Sequence, residues 1–208
     1  MLTVTTAATD YQLLSIEELR SAAGVIGNSD DTALTTIGLQ IALAIANGCG
    51  VVAAGTSTPT LRQEVLEETI RLRYSIYGLP LSRRPIVSVS SVVEAGTTLA
   101  PEDYEIADGR VVRVSGEDET TWAAGKIVVA YTAGWDTVPD DLKLAASKLV
   151  GIVWSQSDRD PMVRSSRVRI EGIRETQTDY WVGPINGAAL PADVMDLLSP
   201  YIRHYLVG

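Results

Sequence analysis

The chain has one histidine and one cysteine, which limits the nucleophilic chemistry that it can carry out. Cys49 and His204 are far apart in the sequence, and a nucleophilic pair is defined by a geometry that spacing does not establish. We interpret Cys49 as a small buried residue, because a free cysteine usually packs as an apolar side chain. His204, between Arg203 and Tyr205, is interpreted as a surface or interface residue. The counts exclude a metal site built from thiolates or imidazoles.

The acidic residues occur in short groups, and each group has a structural explanation that competes with catalysis. The pairs Asp30-Asp31 and Asp140-Asp141 stand where helices are predicted to begin, and carboxylates there complement the helix dipole. The acidic residues 117–119 lie in a predicted turn and are interpreted as a solvated loop. The sequence contains no Walker, EF-hand or dinucleotide-binding motif. We predict no catalytic residue, metal or cofactor; a small carboxylate-dependent hydrolase is the alternative from another functional class.

Two groups of arginines stand out in a chain whose formal net charge is −9. One group lies between two prolines, and the other lies in residues 159–174, where the stretch 163–170 contains no acid. Guanidinium groups suit carboxylate or phosphate partners, so these side chains either serve solubility or bind an acidic neighbour such as a second copy. With the C-terminal helix, they form the predicted subunit or partner interface: Arg83, Arg84, Arg164, Arg167, Arg169, Arg174, Tyr201, Arg203 and Tyr205.

The acidic balance also limits the partners. A general nucleic-acid binder needs a basic face that displaces counterions, so the charge argues against a factor that grips DNA. Residues 1–10 are polar and threonine-rich, which is not the pattern of a signal peptide. The longest apolar stretch, residues 38–54, is short and interrupted by polar residues, so we expect no membrane span and a cytoplasmic site of synthesis.

The helical segments carry clear start and stop signals. Ser15 and Glu18 have the spacing of a capping box, and Gly24 or Gly27 ends this first helix. A proline followed by two acids starts the third helix, and Pro200 is expected to kink or restart the fourth. The predicted helices therefore begin near residues 15, 28, 139 and 191, and the first three end near residues 24, 50 and 156.

Between the second and third helices the sequence period changes to two. The β-branched segment Ile86–Glu94 alternates clearly, and residues 126–132 form the strongest strand pattern in the chain. Asp108-Gly109 is a hairpin signal. Further strands are predicted at 65–74, 104–106 and 110–115, although the glutamate-rich residues 62–70 also fit a turn of helix.

This order of helices, strands and helices is typical of the α+β class. We predict a helical core made of an N-terminal hairpin, a long central helix and a C-terminal helix, with a small inserted antiparallel β-subdomain. The expected boundaries are 1–60 and 134–208 for the two helical parts and 61–133 for the insertion. Residues 157–190 are expected to form a loop or arm with one or two strands, partly mobile in the free subunit, because they have no periodic apolar face.

Four segments, taken in order, resemble the head–tail connector (adaptor) proteins of long-tailed bacteriophages and related gene-transfer particles. The most specific is the strand ending Tyr-Thr-Ala-Gly at 131–134, followed by Pro-Asp-Asp-Leu and an alanine-rich helix that ends near Trp154. The resemblance extends over roughly residues 12–205. The segments are Leu-Ser-Ile-Glu-Glu-Leu-Arg at 14–20 with Asn-Ser-Asp-Asp at 28–31, Leu-Ser-Arg-Arg-Pro-Ile-Val-Ser-Val at 81–89, residues 122–145, and the Leu-Ser-Pro-Tyr ending of residues 190–201.

The resemblance implies a structural virion protein without catalytic residues. Members of this family form a ring, usually of twelve subunits, that binds the portal protein on one side and a stopper or tail-completion protein on the other. DNA passes through the ring, and an acidic wall would repel it. The expected location is the head–tail junction of the virion, reached from the host cytoplasm during assembly. A tail-completion or tail-terminator protein is the structural alternative.

Overall fold

The computed structural model describes residues 1–157 and 190–202, together with the backbone of residues 165–170 and 174–179. In these parts it contains four α-helices: α1 (Ile16–Ala23), α2 (Asp31–Gly48), α3 (Asp140–Trp154) and α4 (Ala192–Leu198). Antiparallel sheets accompany them, so the chain belongs to the mixed α+β class that its sequence predicts.

The residues predicted to start and end the first helix do so in the structure. The Glu18 amide donates to Ser15 Oγ at 3.3 Å, and the Ser15 amide donates to Glu18 Oε2 at 2.7 Å, which completes the capping box. Gly24 ends α1 in the left-handed conformation, with φ of 69°. Asp31, in the first turn of α2, forms an ion pair with Arg20 at 2.5 Å, which ties α1 to α2.

The strands form two main sheets and a separate hairpin. They are β1 (Leu2–Thr6), β2 (Glu64–Leu72), β3 (Gly78–Leu79), β4 (Ile86–Glu94), β5 (Thr97–Thr98), β6 (Tyr104–Ala107), β7 (Arg110–Ser115), β8 (Asp118–Thr120), β9 (Gly125–Ala133), β10 (Ser165–Ile170) and β11 (Arg174–Asp179). The larger sheet has the order β1-β2-β9-β4-β5, and the smaller has the order β3-β7-β6 with β8 paired to β7. These strands pair antiparallel, and among the described strands β10 pairs only with β11.

The structure decides between two predictions for one segment and adds one strand that the sequence did not predict. The glutamate-rich segment is strand β2, because its partner β9 pairs with it along nine residues. Residues 2–6 form strand β1 on the edge of the larger sheet, where Leu2 lies opposite Glu68 and Val4 opposite Leu66. The sequence did not predict β1, since a short threonine-rich edge strand is specified by its pairing partner more than by its own pattern.

The buried side chains form two separate apolar cores. The helical core joins all four helices and has at its centre Leu19, Leu34, Ile45, Ala145 and Leu198. The β core lies within the two sheets and has at its centre Leu66, Leu79, Val92, Trp122 and Ile127. Strand β1 adds an N-terminal segment to the β part, and the predicted boundaries of the helical parts and of the β-insertion stay predictions.

The predicted arm contains the two-stranded hairpin β10–β11, in which the backbone of Arg169 lies opposite Glu175. The predicted mobility of residues 157–190 stays a prediction. Arg164, Arg203, His204 and Tyr205 lie outside the described residues. No helix in the described part of the chain is long and apolar enough to cross a membrane.

Cys49 provides a direct test of the helical core. The residue is 1% exposed, and burial raises the pKa of its thiol to about 11 from an ordinary value of 9.0. The thiolate fraction at neutral pH therefore falls about a hundredfold. We expect a maleimide reagent to label the folded protein at least about a hundredfold more slowly than the protein unfolded in guanidinium. Equal labelling rates in the two states would contradict the buried position.

Candidate functional site: an arginine groove between the two cores

A groove of about 1590 Å³ lies where the helical core meets the β core. On the helical side it is lined by residues 49–51, 60–62 and 200–202. On the other side it is lined by the end of β2, the segment from residue 73 to residue 86, and the turn between β6 and β7. The groove therefore depends on how the two cores are placed against each other.

Arginine dominates the polar lining of this groove. Six of the chain's 17 basic residues line it, and no Asp or Glu occurs in the lining that the structure describes. We call this feature the arginine groove; its arginines are Arg62, Arg71, Arg73, Arg83, Arg84 and Arg110. In a protein with a net charge of −9, it concentrates positive charge at one place between low-dielectric walls, which strengthens its field.

Several of these guanidinium groups are open to a partner. Arg71, Arg73 and Arg110 are exposed, and Arg62 is half-buried. None of these four forms an ion pair with any residue that the structure describes. No carboxylate of the described residues therefore neutralises these four charges.

Aromatic side chains lie at both ends of the groove. Tyr74 and Tyr77 are 70% and 68% exposed, which is unusual for large side chains of this kind. Trp135 packs edge-on against Tyr201, with their ring centroids 6.1 Å apart. Arginine and aromatic residues together are the types enriched at the centres of protein interfaces. The composition of the groove is thus that of a protein-binding surface.

A buried ion pair lies beneath the arginines. Arg83 is 4% exposed and Glu64 is 2% exposed, and Arg83 Nη2 lies 3.5 Å from Glu64 Oε2. Burial raises the pKa of Glu64, while Arg83 and the backbone of Ala8 oppose that shift. A partner would reach Arg83 only from within the groove. In the described chain Arg83 is paired with Glu64, so it links the lining of the groove to strand β2.

A second buried carboxylate, that of Glu68, attaches the segment before Arg83 to the larger sheet. Glu68 on β2 accepts hydrogen bonds from the Ser82 amide at 2.8 Å, from Ser82 Oγ at 2.5 Å and from the Tyr131 hydroxyl at 2.9 Å. Burial, followed by Glu68, raises the pKa of Tyr131, so this hydroxyl keeps its proton as the donor. These bonds attach the residues just before Arg83 to strands β2 and β9.

Two arginines of the groove lie against glycines. A Cβ atom on Gly78 would lie 2.8 Å from Cδ of Arg110, so the Arg110 side chain crosses the bare backbone of β3. The Nη1 atom of Arg84 lies 3.9 Å from the position of a Cβ on Gly109. Arg110 thus lies over β3, and Arg84 lies beside the turn between β6 and β7.

Tyr201 closes the helical end of the groove. Its hydroxyl donates to Asp141 Oδ1 at 2.5 Å, and burial together with Asp141 raises the pKa of the tyrosine. This bond ties the 3₁₀ turn Ser199–Tyr201 to the start of α3, and that turn follows α4 as Pro200 predicted. Asp141 thus acts both in a helix start and in an interhelical contact.

The structure brings three predicted interface residues, Arg83, Arg84 and Tyr201, into one groove. The backbone of Arg167, Arg169 and Arg174 lies in the hairpin β10–β11. For all six residues the interface role stays a prediction. Sequence reasoning missed Arg62, Arg71, Arg73 and Arg110, as well as Tyr74 and Tyr77. A signal was available, because residues 69–93 carry four arginines and no acid in an acidic protein.

The arginine groove gives the hydrolase alternative no support. That alternative requires two carboxyl groups that converge on a cleft. Glu64 and Glu68 are both buried. Glu64 is paired with Arg83, and Glu68 accepts hydrogen bonds from Ser82 and Tyr131. Within the described residues, no group of three or more His, Cys, Asp or Glu side chains is placed to hold a metal ion.

Comparison with known proteins finds similarity in structure but not in sequence. No protein-family model matches the chain, and no curated protein matches it. Its fold resembles a chain of the virion of a native gene transfer agent (GTA) particle, with a TM-score of 0.58 and 20% identity. It also resembles chains of the neck of an empty GTA particle computed with C6 symmetry (0.58, 18%) and of a native GTA particle computed with C12 symmetry (0.57, 19%). Each likeness covers 100% of this chain and 98% of the other.

Proposed function

We propose that this protein is a structural subunit of the neck of a phage-like particle, where a ring of copies connects the head to the tail. The observation that carries the proposal is the likeness of fold to GTA neck chains, which covers 100% of this chain and 98% of the others. The ordered resemblance of residues 12–205 to head–tail connectors is independent support, because it rests on sequence segments and not on backbone superposition.

The charge distribution is consistent with a ring. A subunit that carries both an arginine groove and a net charge of −9 offers both signs of charge to identical neighbours. When one face of each subunit binds a different face of the next, the copies form a closed ring if the rotation between neighbours divides a full turn evenly. One neck structure with a similar chain was computed with C12 symmetry, so we propose twelve copies in the ring.

The other proposed partners follow from this position. One face of the ring would bind the portal protein, and the other would bind a stopper or tail-completion protein. DNA would pass through the channel without specific binding, since an acidic wall repels the phosphate backbone. The proposed location is the head–tail junction of the virion, with assembly in the host cytoplasm.

The proposal is tested by electron microscopy of particles produced without this protein. We expect DNA-filled heads and separate, normal tails, with joined particles restored when the protein is supplied in trans. Tails of abnormal length would indicate a tail terminator instead. Joined particles of normal appearance would contradict a role in the neck.

A further inference from the structure

A strongly acidic hairpin tip lies in the same small sheet as part of the arginine groove. Strands β7 and β8 are joined at Gly116, which has φ of 69°, and the tip presents Glu117, Asp118 and Glu119 in succession. All three acids are exposed. None of them forms an ion pair with a residue in the described part of the chain. We call residues 116–119 the acidic tip.

The acidic tip and the arginine groove lie at opposite ends of strand β7. Arg110, its first residue, lines the groove, and Ser115, its last residue, leads into the tip. From the first to the last of its six residues, the strand spans five steps of roughly 3.4 Å, or about 17 Å. The tip points away along an extended strand, so it does not fold back into the groove of its own subunit. Complementary charges are thus presented at two different faces.

We propose that the acidic tip of one subunit binds in the arginine groove of the next, so that copies associate head to tail. This inference rests on the proposed ring function and identifies the contact that forms the ring. Arg71, Arg73 and Arg110 supply planar donors that pair with carboxylates in two-point geometry. Tyr74 and Tyr77 flank them, and their rings would exclude water around the ion pairs.

A second copy fits the groove better than nucleic acid does. An arginine- and tyrosine-lined groove is also able to hold single-stranded DNA through stacking and phosphate contacts. The net charge of −9, however, opposes the approach of a polyanion, whereas the acidic tip brings only three carboxylates to the groove. The tip and the groove also occur in equal numbers on every subunit, as a closed ring requires.

The test reverses the charge of the groove in one variant and the charge of the acidic tip in another. A groove variant carries Arg71→Glu and Arg73→Glu, and a tip variant carries Glu117→Lys and Glu119→Lys. The purified full chains are examined by sedimentation velocity and by chemical cross-linking at high protein concentration and low ionic strength. The matched control is Glu102→Lys with Glu105→Lys, which reverses two exposed acids in β6 and in the 3₁₀ turn just before it.

We expect the wild-type chain and the control to associate and to give a cross-linked ladder that extends beyond dimers. Each reversed variant should associate about a hundredfold more weakly, because it places like charges against each other. An equimolar mixture of the groove variant and the tip variant should regain association. In that mixture, every reversed groove meets a reversed tip, and every native groove meets a native tip.

Several results would overturn the inference. These are a wild-type chain that stays monomeric, association that the reversals leave unchanged, a ladder that stops at dimers, and no recovery in the mixture. Salt-dependent binding of an oligonucleotide that only the groove variant loses would assign the groove to DNA and also reject the proposal. The particle experiment decides the neck function separately. A neck role with unaffected self-association would leave the proposed function standing and remove this contact alone.

Discussion

Replacement of Trp122 by alanine should lower the free energy of unfolding by about 3–5 kcal/mol, a large fraction of the stability of an ordinary domain. Trp122 is fully buried in the β core. Its indole Nε1–H donates to the carbonyl oxygen of Val111 at 2.9 Å, and its backbone exchanges two hydrogen bonds with Ile76. The substitution would leave a cavity among Leu79, Val111 and their neighbours, which strands paired on both sides cannot collapse to fill.

Urea denaturation followed by far-ultraviolet circular dichroism measures this loss. Trp122→Phe keeps most of the ring volume, so we expect it to cost less than Trp122→Ala while still losing the bond to Val111. Tyr74→Ala is the matched control, because Tyr74 is a large aromatic residue that is 70% exposed, and its removal should change stability by less than about 0.5 kcal/mol. Equal effects of Trp122→Ala and Tyr74→Ala would refute the assignment of Trp122 to the centre of the β core.

Arg83→Met should destabilise the protein by about 3–5 kcal/mol at neutral pH, since it leaves the buried Glu64 carboxylate without its cation. The variant with Arg83→Met and Glu64→Leu together should recover most of this loss, because an apolar pair of similar volume avoids the desolvation of both charges. Arg71→Met is the control. Arg71 is exposed and forms no ion pair with a described residue, so its replacement should have little effect on stability.

The pH dependence of this effect has a definite sign. The pKa of Glu64 in the folded state is raised above its ordinary value of 4.5, and removal of Arg83 raises it further. A raised carboxyl pKa contributes stability that is complete below the unfolded pKa and is lost as the pH rises through the folded pKa. The deficit of Arg83→Met relative to wild type should therefore shrink as the pH falls from 7 towards 4.5. A deficit that stays constant over this range would show that Glu64 is not the group left uncompensated.

The two buried glutamates also show what a sequence pattern predicts about a buried site and what it does not. Glu64 and Glu68 share with Leu66 the inward face of a strand whose alternation is visible in the sequence. An acid on an apolar face indicates a buried polar partner. The partners themselves, Arg83, Ser82 and Tyr131, come from a distant loop and from strand β9, and local periodicity carries no information about such contacts.

Local signals in the sequence determined the four helices, the long strands and the turn between β6 and β7. Caps, prolines and alternating residues act within a few positions of the structure that they specify. The α+β class followed from the order of these elements, and Cys49 was identified as a small buried residue.

Only the tertiary structure established the edge strand β1, the buried pair of Arg83 with Glu64, and the arginine groove. Each depends on which segments lie side by side after two cores form, and the groove joins residues as far apart as Val51, Arg110 and Ile202. Arginine side chains that are spread along an acidic sequence become one positive surface only because the sheets and helices fold them to the same place. The acidic tip stays apart from them for the same reason, since strand β7 holds the two charges at its opposite ends.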